Sequence, residues 1–372
     1  MTRGALLAGA ASFAVALLLS GLATAVVREW ARKRGFVDSP GGAAGHKTHA
    51  LPTPLGGGIA ITIAILLPIA AVLVAVAALR HIEPAQVRWF VGQVPQWPYW
   101  MAGAVHKVPA ALAVVAGALA MHLIGIIDDH WPLAPWLKLA AQTAVALMLT
   151  AGFGIRAGDA LGPAPAVLLT TLWIVGLTNA FNFLDNMDGL AAGVAALTAG
   201  VLAVTSLLAG QVFVPCLLML VAGSAVGFLL HNFPPASVFM GDAGSLVLGY
   251  MLGVCAVLTT YYDPAQQLTP FGVLVPLVVF AVPLYDITSV IVSRWRRGAS
   301  IFQSDRHHFS HRLVRLGFSR TAAVLAIYLA TAATALPAML LPHLNWAGAT
   351  LVVLQCLCVL TLIAVLESRD AA

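Results

Sequence analysis

The chain has 372 residues, of which 60% are apolar and only 9% are charged, and its formal net charge is +5. Soluble globular proteins carry about 25% charged residues, so this composition excludes a water-soluble domain, whose surface needs more charge. It predicts instead an integral membrane protein whose apolar runs cross the bilayer in spans of about 20 residues.

Eleven apolar segments follow one another along the chain, and we expect each to form a transmembrane helix. The first resembles a signal peptide but exceeds the usual apolar core of about 7–15 residues, so we expect it to be retained. The prediction is an all-α polytopic membrane helix bundle that forms a single domain over residues 1–372. The segments are approximately 4–27, 56–79, 109–127, 134–152, 165–183, 189–209, 211–231, 244–260, 270–292, 321–341 and 344–366.

The lysines and arginines predict the orientation of this bundle. With the amino terminus outside, fourteen of the nineteen fall in segments on the cytoplasmic side, as the positive-inside rule requires. An odd number of spans then places the carboxyl terminus in the cytoplasm. The positive net charge is explained by topology, and we expect no nucleic-acid partner. The main cytoplasmic loops are approximately 28–55, 128–133, 180–189, 231–243 and 293–320.

Two adjacent acids, Asp128 and Asp129, close the third span, and Lys138 follows them. Carboxylates are costly at the end of a membrane helix, and two neighbours repel unless a cation or a proton lies between them. A water-exposed loop would tolerate such a pair. At this place it favours a divalent metal or phosphate chemistry.

A second polar cluster separates the fifth and sixth spans and contains Asn179, Asn182, Asp185, Asn186 and Asp188. If the helix continued, Asp185 and Asp188 would share one of its faces. Hard oxygen ligands of this kind suit Mg²⁺, which binds through one or two carboxylates and substrate phosphates. A loop that only caps a helix would explain one Asp and one Asn, but not the whole set.

A third acid, Asp242, directly precedes the eighth span between Gly241 and Gly244. The glycines would allow a ligand to approach the backbone closely. Asp242 could equally cap the helix that follows and favour its dipole. These residues alone do not decide between a metal ligand and a helix cap.

Basic residues in two cytoplasmic loops complement the acids. The spacing of His308 and His311 would place both on one helix face. Taken singly, arginines in such loops only hold the topology, and no cysteine lies near enough for a structural zinc site. Acids and phosphate-binding cations on one membrane face together indicate phosphoryl transfer to or from a lipid. The basic residues are Lys47 and His49 in the first loop and Arg306, His308, His311 and Arg312 in the last.

These motifs, in this order from about Gly35 to Phe318, resemble the polyprenyl-phosphate N-acetylhexosamine-1-phosphate transferases, which are of the glycosyltransferase family 4 type. The resemblance implies a reaction that needs Mg²⁺, with Mn²⁺ as an alternative ion, at the cytoplasmic face of the bacterial inner membrane. A UDP-sugar gives sugar 1-phosphate to a polyprenyl phosphate and UMP is released. The matching motifs are Val37-Asp38-Ser39-Pro40, His46-Lys47-Thr48-His49, Pro54-Leu55-Gly56-Gly57-Gly58, Asp128-Asp129 with Leu133-x-Pro135-x-x-Lys138-Leu139-x-x-Gln142, Asn179-x-x-Asn182-x-x-Asp185-x-x-Asp188-Gly189-Leu190, Val238-Phe239-Met240-Gly241-Asp242-x-Gly244-Ser245 and Asp305-Arg306-His307-His308-Phe309-Ser310-His311-Arg312-Leu313.

Carried over to this sequence, the resemblance implies a role for each motif residue. Three acids would hold the metal: Asp242, Asp185 and Asp128. The catalytic group would comprise Asp128, Asp129, Asp185, Asp188, His308 and His311. Substrate binding would fall to Lys47, His49, Lys138, Asn179, Asn182, Arg306 and Arg312. Asp286, inside the ninth span, would orient the neighbouring loop.

The motif details resemble the branch that uses UDP-N-acetylglucosamine and undecaprenyl phosphate to start a cell-envelope glycan, such as an O-antigen or a teichoic-acid linkage unit. One departure is Ser310, where the family often has a histidine. The alternatives are another UDP-hexosamine, including UDP-N-acetylmuramoyl-pentapeptide, a lipid-binding scaffold without activity, and a transporter. No internal repeat of the kind common in transporters is visible. The oligomeric state stays open, with a homodimer as one option.

Overall fold

The computed structural model describes residues 3–38, 52–80, 97–298 and 308–368. This part of the chain is helical apart from turns and one pair of two-residue strands, which confirms the all-α prediction. We number the strands β1 (Val37–Asp38) and β2 (Thr53–Pro54). The helices are α1 (Arg3–Arg34), α2 (Gly57–Leu79), α3 (Trp97–His130), α4 (Pro135–Leu147), α5 (Pro163–Leu184), α6 (Leu190–Leu208), α7 (Phe213–Asn232), α8 (Asp242–Leu258), α9 (Val275–Val279), α10 (Ala281–Arg296), α11 (Phe309–Arg315), α12 (Arg320–Ala338) and α13 (Trp346–Ser368).

Within the described ranges, eight helices are long and apolar enough to cross a membrane by themselves. A ninth span results if Pro270–Val279 and Ala281–Arg296, which meet at a bend of 60°, are counted together. Helix α8, with 17 residues, is shorter than the roughly 20 residues that a span needs. Helix α4 has 13 residues and is continued without a break by a π-helical turn of five residues, Met148–Gly152. The chain is therefore a multi-pass membrane protein. Each predicted segment coincides with helical structure, but eleven spans and the orientation of the termini stay predictions.

Two helices extend beyond the predicted apolar segments. Helix α1 continues past residue 27 to Arg34, where Glu29 forms ion pairs with Arg32 at 3.1 Å and Lys33 at 3.8 Å. Such pairs, one turn apart, support a helix that has left its apolar surroundings. Helix α3 begins at Trp97 instead of 109, and Pro109 lies inside it. Neighbouring helices allow proline inside membrane helices, so a proline does not mark a helix start here.

Helix α8 forms the centre of the bundle, and every residue from Ala243 to Ala256 is buried. Two glycines of neighbouring helices touch its backbone directly. A Cβ atom on Gly58 would lie 2.6 Å from the carbonyl carbon of Ala243, and one on Gly125 would lie 2.5 Å from that of Asp242. Small residues let membrane helices approach this closely. The start of α8 is therefore fixed against α2 and α3.

One end of the bundle collects the predicted acids, and we call it the acidic end. It contains the carboxyl ends of α1, α3, α5 and α7 and the amino ends of α2, α4, α6 and α8. Strand β1 pairs with β2 there, with Val37 opposite Pro54. The backbone N–H of Phe239 donates to Pro54 at 2.8 Å, and that of Gly57 donates back to Phe239 at 3.0 Å. The glycine motif after the first loop thus lies against the loop that carries Asp242.

Candidate active site

The ammonium group of Lys138 lies at the centre of the acidic end. Its Nζ donates to Asp128 Oδ2 at 2.9 Å and to Asn182 Oδ1 at 3.3 Å, and it also forms an ion pair with Asp242. The side chains of Lys138, Asp128 and Asp242 are 14%, 16% and 25% exposed. Three elements, α3, α4 and α8, therefore place two carboxylates around one largely buried ammonium group. The residues predicted from three separate motifs meet at one point.

The carboxylate of Asp242 does not cap its own helix. Gly241 occupies the N-cap position, and no side chain there bonds to the helix. Asp242 Oδ1 instead accepts a hydrogen bond from Asn182 Nδ2 at 2.8 Å, and the same amide lies 3.0 Å from Ser245 Oγ. The Asp242 side chain is therefore not the cap of α8, because it turns into the cluster with Lys138, although its place in the first turn still favours the helix dipole.

Asp129 supplies the cap that α8 would otherwise lack. Its Oδ1 accepts from the backbone N–H of Asp242 at 2.8 Å, and its Oδ2 accepts from that of Ala243 at 3.2 Å. A carboxylate at this place satisfies unpaired backbone donors and favours the helix dipole. Gly241, with φ of 70°, leaves room for it, since a Cβ atom there would lie 2.5 Å from Asp129 Oδ2. Asp129 thus holds Asp242 in place, and its predicted catalytic role stays a prediction.

Asp128 divides its two oxygens between the chain and the cation. Oδ1 accepts from the backbone N–H of Leu133 at 2.7 Å, which closes the short connection between α3 and α4. Oδ2 faces Lys138. The next residue but one, His130, stacks on Phe36 with ring centroids 4.9 Å apart. The end of α3 that carries Asp128, and the connection that follows it, are thus held in place by Leu133 and Phe36.

The turn between α5 and α6 carries the second pair of predicted acids. Because α5 ends at Leu184, Asp185 and Asp188 do not lie on one face of a continuing helix, as the spacing alone allowed. Asp188 Oδ2 accepts from the backbone N–H of Ala236 at 3.0 Å. Burial, followed by the nearby carboxylates of Asp242 and Asp129, raises the pKa of Asp185 well above its usual range. Crowded carboxylates of this kind favour a proton or a cation between them.

The predicted histidine loop docks on this turn through α11. His308 Nδ1 lies 3.1 Å from Asp286 Oδ2, and Asp286 Oδ1 accepts from the backbone N–H of Phe309 at 2.9 Å. The buried Asp286 therefore orients the loop, as the resemblance implied. The rings of His308 and His311 lie 6.4 Å apart, and the ring of Phe183 lies 5.5 Å from that of His308. His308 thus packs against the end of α5, two residues before Asp185, and His311 lies next to His308.

Ser310, the departure from the family pattern, bonds to the acidic turn. Its Oγ donates to Asn186 Oδ1 at 2.5 Å, and Asn186 Nδ2 donates to the carbonyl oxygen of Phe183 at 2.6 Å. The serine is buried, with 1% of its surface exposed. Ser310 therefore ties the histidine helix to the turn that carries Asp185.

Other predicted residues take different places. Asn179 donates to Gln142 Oε1 at 2.6 Å and to the carbonyl oxygen of Val175, one turn along α5 from Asn182. Arg312 forms an ion pair with Glu367 at 2.7 Å, so its guanidinium is held by α13, and its substrate-binding role stays a prediction. Lys47, His49 and Arg306 lie outside the described residues, and their roles also stay predictions.

Sequence reasoning missed two contributors to this end of the bundle. Glu367 near the end of α13 is an acid in an apolar helix, and that signal alone could have marked it. His122 Nδ1 lies 3.0 Å from both Thr62 Oγ1 and the carbonyl oxygen of Ala243. His122 carries no sequence signal, because its partners come from other helices. Ser245, which closes the Asp242 motif, contacts Asn182 from the first turn of α8.

The donor set fits a divalent cation that is completed by substrate. Among the described residues, no group of three or more His, Cys, Asp or Glu side chains is placed to hold a metal ion by itself. However, Asp128 and Asp242 already share one cationic group, Lys138. Mg²⁺ keeps several waters and usually binds through one or two carboxylates together with substrate phosphates. Asp128 and Asp242 are the two carboxylates that could hold such an ion, and Asp185 as a third ligand stays a prediction.

The sequence of this chain is similar to those of several known transferases. Residues 111–260 match the family described as "Glycosyl transferase family 4". The chain is 32% identical over 327 residues to a probable undecaprenyl-phosphate N-acetylglucosaminyl 1-phosphate transferase of Bacillus subtilis, covering 86% of this chain and 80% of the relative. It is 35% identical over 343 residues to a decaprenyl-phosphate N-acetylglucosaminephosphotransferase of Mycobacterium tuberculosis, covering 84% and 78%. An undecaprenyl-phosphate alpha-N-acetylglucosaminyl 1-phosphate transferase of Escherichia coli is 27% identical over 241 residues, covering 61% and 64%.

Proposed function

This chain belongs to glycosyl transferase family 4, within the polyprenyl-phosphate N-acetylglucosamine-1-phosphate transferases, and from that premise we propose the reaction of this protein. It transfers N-acetylglucosamine 1-phosphate from UDP-N-acetylglucosamine to undecaprenyl phosphate, with Mg²⁺ as the cofactor. A bond forms between an oxygen of the lipid phosphate and the sugar-bearing phosphorus. The bond from that phosphorus to the UMP oxygen breaks, and UMP leaves. The product is a lipid-linked diphosphate sugar that starts a cell-envelope glycan.

The observation that carries this proposal is the Lys138 cluster. Two phosphorylated substrates repel each other, so their transfer reaction needs positive charge where they meet. Lys138 provides one cation at the acidic end, and the carboxylates of Asp128 and Asp242 can hold a second. When bound, Mg²⁺ neutralises phosphate charge and stabilises the departing oxygen. Acids alone would repel both substrates, so the shared cation distinguishes a phosphoryl-transfer site from a purely acidic pocket.

The chain's own residues account for the remaining requirements. Asp129 fixes the first turn of α8 and thereby Asp242. Asn182 donates to the Asp242 carboxylate and accepts from Lys138, and thereby orients both groups. His308 and His311 lie beside the end of α5, where they can donate hydrogen bonds to phosphate or sugar oxygens. Positioning of this kind is the main contribution a protein makes to phosphoryl transfer.

We place the acidic end at the cytoplasmic face of the bacterial inner membrane, where a UDP-sugar would be supplied. The Lys and Arg distribution supports this orientation, since fourteen of nineteen fall in segments on that side. The substrate lipid would enter from the bilayer, so that only its phosphate reaches Lys138. A transporter is disfavoured, because its acids would lie along a path near the bilayer midplane.

The test is UMP release by the purified full chain in lipid nanodiscs. The reaction receives Mg²⁺, undecaprenyl phosphate and, one at a time, UDP-N-acetylglucosamine, UDP-N-acetylgalactosamine and UDP-N-acetylmuramoyl-pentapeptide. We expect UMP only with the first sugar, and none when the lipid phosphate is omitted. Release with a different sugar alone would refute the substrate but keep the reaction. No UMP release with any of the three, from protein that thermal melting shows to be folded, would refute the proposed function.

A further inference from the structure

An acid outside the predicted motifs, Glu367, lies in the last turns of α13. Its side chain is 6% exposed. Most of α13 lies at the periphery of the bundle, with only 22% of its most apolar stretch buried. Glu367 Oε2 accepts hydrogen bonds from Arg312 at 2.7 Å and from the Tyr285 hydroxyl at 2.7 Å. A buried carboxylate is strongly disfavoured without partners. Here the carboxylate joins three elements, α10, α11 and α13.

Both partners of Glu367 belong to segments that hold the histidines. Arg312 lies in α11, four residues after His308 and directly after His311. Tyr285 directly precedes Asp286, whose carboxylate contacts His308 Nδ1 and the backbone N–H of Phe309. The Tyr285 ring also packs against Phe309, with centroids 6.5 Å apart. Glu367 therefore connects the element that carries the histidines with the element that orients them.

Helix α11 depends on such connections, because it has only seven residues. Isolated helices shorter than about 12 residues are marginal in water, so tertiary contacts must fix its position. Besides the burial of Phe309 and Leu313, these contacts include hydrogen bonds from Phe309 to Asp286, from Ser310 to Asn186 and from Arg312 to Glu367. The bond to Glu367 joins a guanidinium and a carboxylate, and charge-assisted hydrogen bonds are roughly twice as strong as neutral ones.

We propose that Glu367 is a positioning residue of the active site: by binding Arg312 and Tyr285 it sets the place of α11, and with it His308 and His311. The last transmembrane helix is thereby a structural part of the site, although no predicted motif lies in it. The assignment rests on the proposed function for the role of the histidines, but the placement of α11 is a separate, directly measurable property.

The first arm of the test measures position without activity. Hydrogen–deuterium exchange is followed for the peptide that covers 308–316 in the full chain, in nanodiscs, for the unchanged protein, Glu367→Gln and Glu367→Ala. We expect exchange of the α11 amides to increase at least about tenfold in Glu367→Ala, since breaking a hydrogen bond to a charged group is worth that much or more. Asp159→Asn is the matched control: Asp159 also pairs with an arginine, Arg156 at 2.6 Å, but is 66% exposed. Unchanged exchange in Glu367→Ala would overturn the proposal.

The second arm asks whether Glu367 acts through the histidines. UMP release is measured for Glu367→Gln, for a variant with both His308→Ala and His311→Ala, and for the triple variant, with thermal melting of each. We expect Glu367→Gln to lower kcat/KM roughly tenfold to a hundredfold in the unchanged background. In the background that lacks both histidines it should lower the residual kcat/KM less than about twofold, since residues that act as a unit are not additive. A full additive loss would mean that Glu367 only stabilises the fold, and would refute the positioning role. No UMP from the unchanged protein would refute the proposed function, while the exchange arm would still decide the placement of α11.

Discussion

Replacing Lys138 by methionine should tighten the binding of a divalent cation at the acidic end. Methionine keeps much of the length and apolar stem of lysine but removes the charge that Asp128 and Asp242 share. Without that charge the two carboxylates repel each other and need another cation. Metal affinity should therefore rise while turnover falls, since Lys138 also binds the substrate phosphates in the proposed reaction.

The size of the effect follows from the geometry. Two acceptors bonded to one nitrogen lie at most about 6 Å apart. At that separation, and with an effective dielectric constant of about 20, two unit charges interact by about 3 kcal/mol. Partial relaxation of the side chains reduces this value. We therefore expect the dissociation constant of Mn²⁺, used as a probe ion, to fall by about tenfold to a hundredfold.

The assay is direct titration of metal-free protein with Mn²⁺, followed by electron paramagnetic resonance of the free ion, in nanodiscs without substrates. Lys33→Met is the matched control, because Lys33 pairs with the exposed Glu29 at 3.8 Å and lies away from the cluster. It should leave Mn²⁺ affinity unchanged, apart from a small shift that added salt removes. Equal or weaker Mn²⁺ binding by Lys138→Met would show that Asp128 and Asp242 do not form the cation site.

Three further predictions follow from the same cluster. Asp129→Asn should lower the free energy of unfolding by about 1–3 kcal/mol, because an amide has only one acceptor oxygen for the two backbone N–H groups that Asp129 now binds; an unchanged thermal melting temperature would contradict the capping role. Asp242→Asn and Asp128→Asn should each abolish UMP release while the protein still inserts and melts cooperatively, and near-normal release by either would remove that residue from the mechanism. Excess EDTA should stop UMP release and added Mg²⁺ or Mn²⁺ should restore it, whereas EDTA-resistant turnover would defeat the metal assignment.

The helical framework was predictable from the sequence, because the hydrophobic pattern of each span is local. The eleven apolar segments all coincide with helical structure, and the predicted bounds are wrong only at the ends of some helices. The extension of α1 to Arg34 depends on Glu29, whose ion pairs follow the helix spacing but lie outside the apolar run. The start of α3 was predicted too late because of Pro109. Whether a helix tolerates a proline depends on the neighbouring helices, which the sequence does not show.

The membership of the site was predictable, but the role of each side chain was not. Asp128, Lys138, Asn182 and Asp242 do meet, as the motif order indicated. Adjacent in sequence, Asp128 and Asp129 take different tasks, because the partners of Asp129 are backbone groups 113 and 114 residues away. No local pattern encodes such a distance. The sequence around a carboxylate at a helix end does not indicate whether that carboxylate faces a cation or the backbone of another helix.

The contact of Glu367 with Arg312 was missed for a related reason. An acid in an apolar helix signals a partner, but the sequence does not say which of the many cations is that partner. The two residues are 55 positions apart and lie in different helices. Only their three-dimensional placement reveals that α13 reaches the histidine helix.

The close approach of Gly58 and Gly125 to the first turn of α8 makes that turn the rigid part of the acidic end. Backbone packed against backbone cannot slide without separating whole helices, so Asp242 and its cap keep a fixed position. The Lys138 side chain is held instead by hydrogen bonds, which can exchange partners while the helices stay in place. A ligand that binds at the acidic end should therefore displace this side chain and leave α8 where it is.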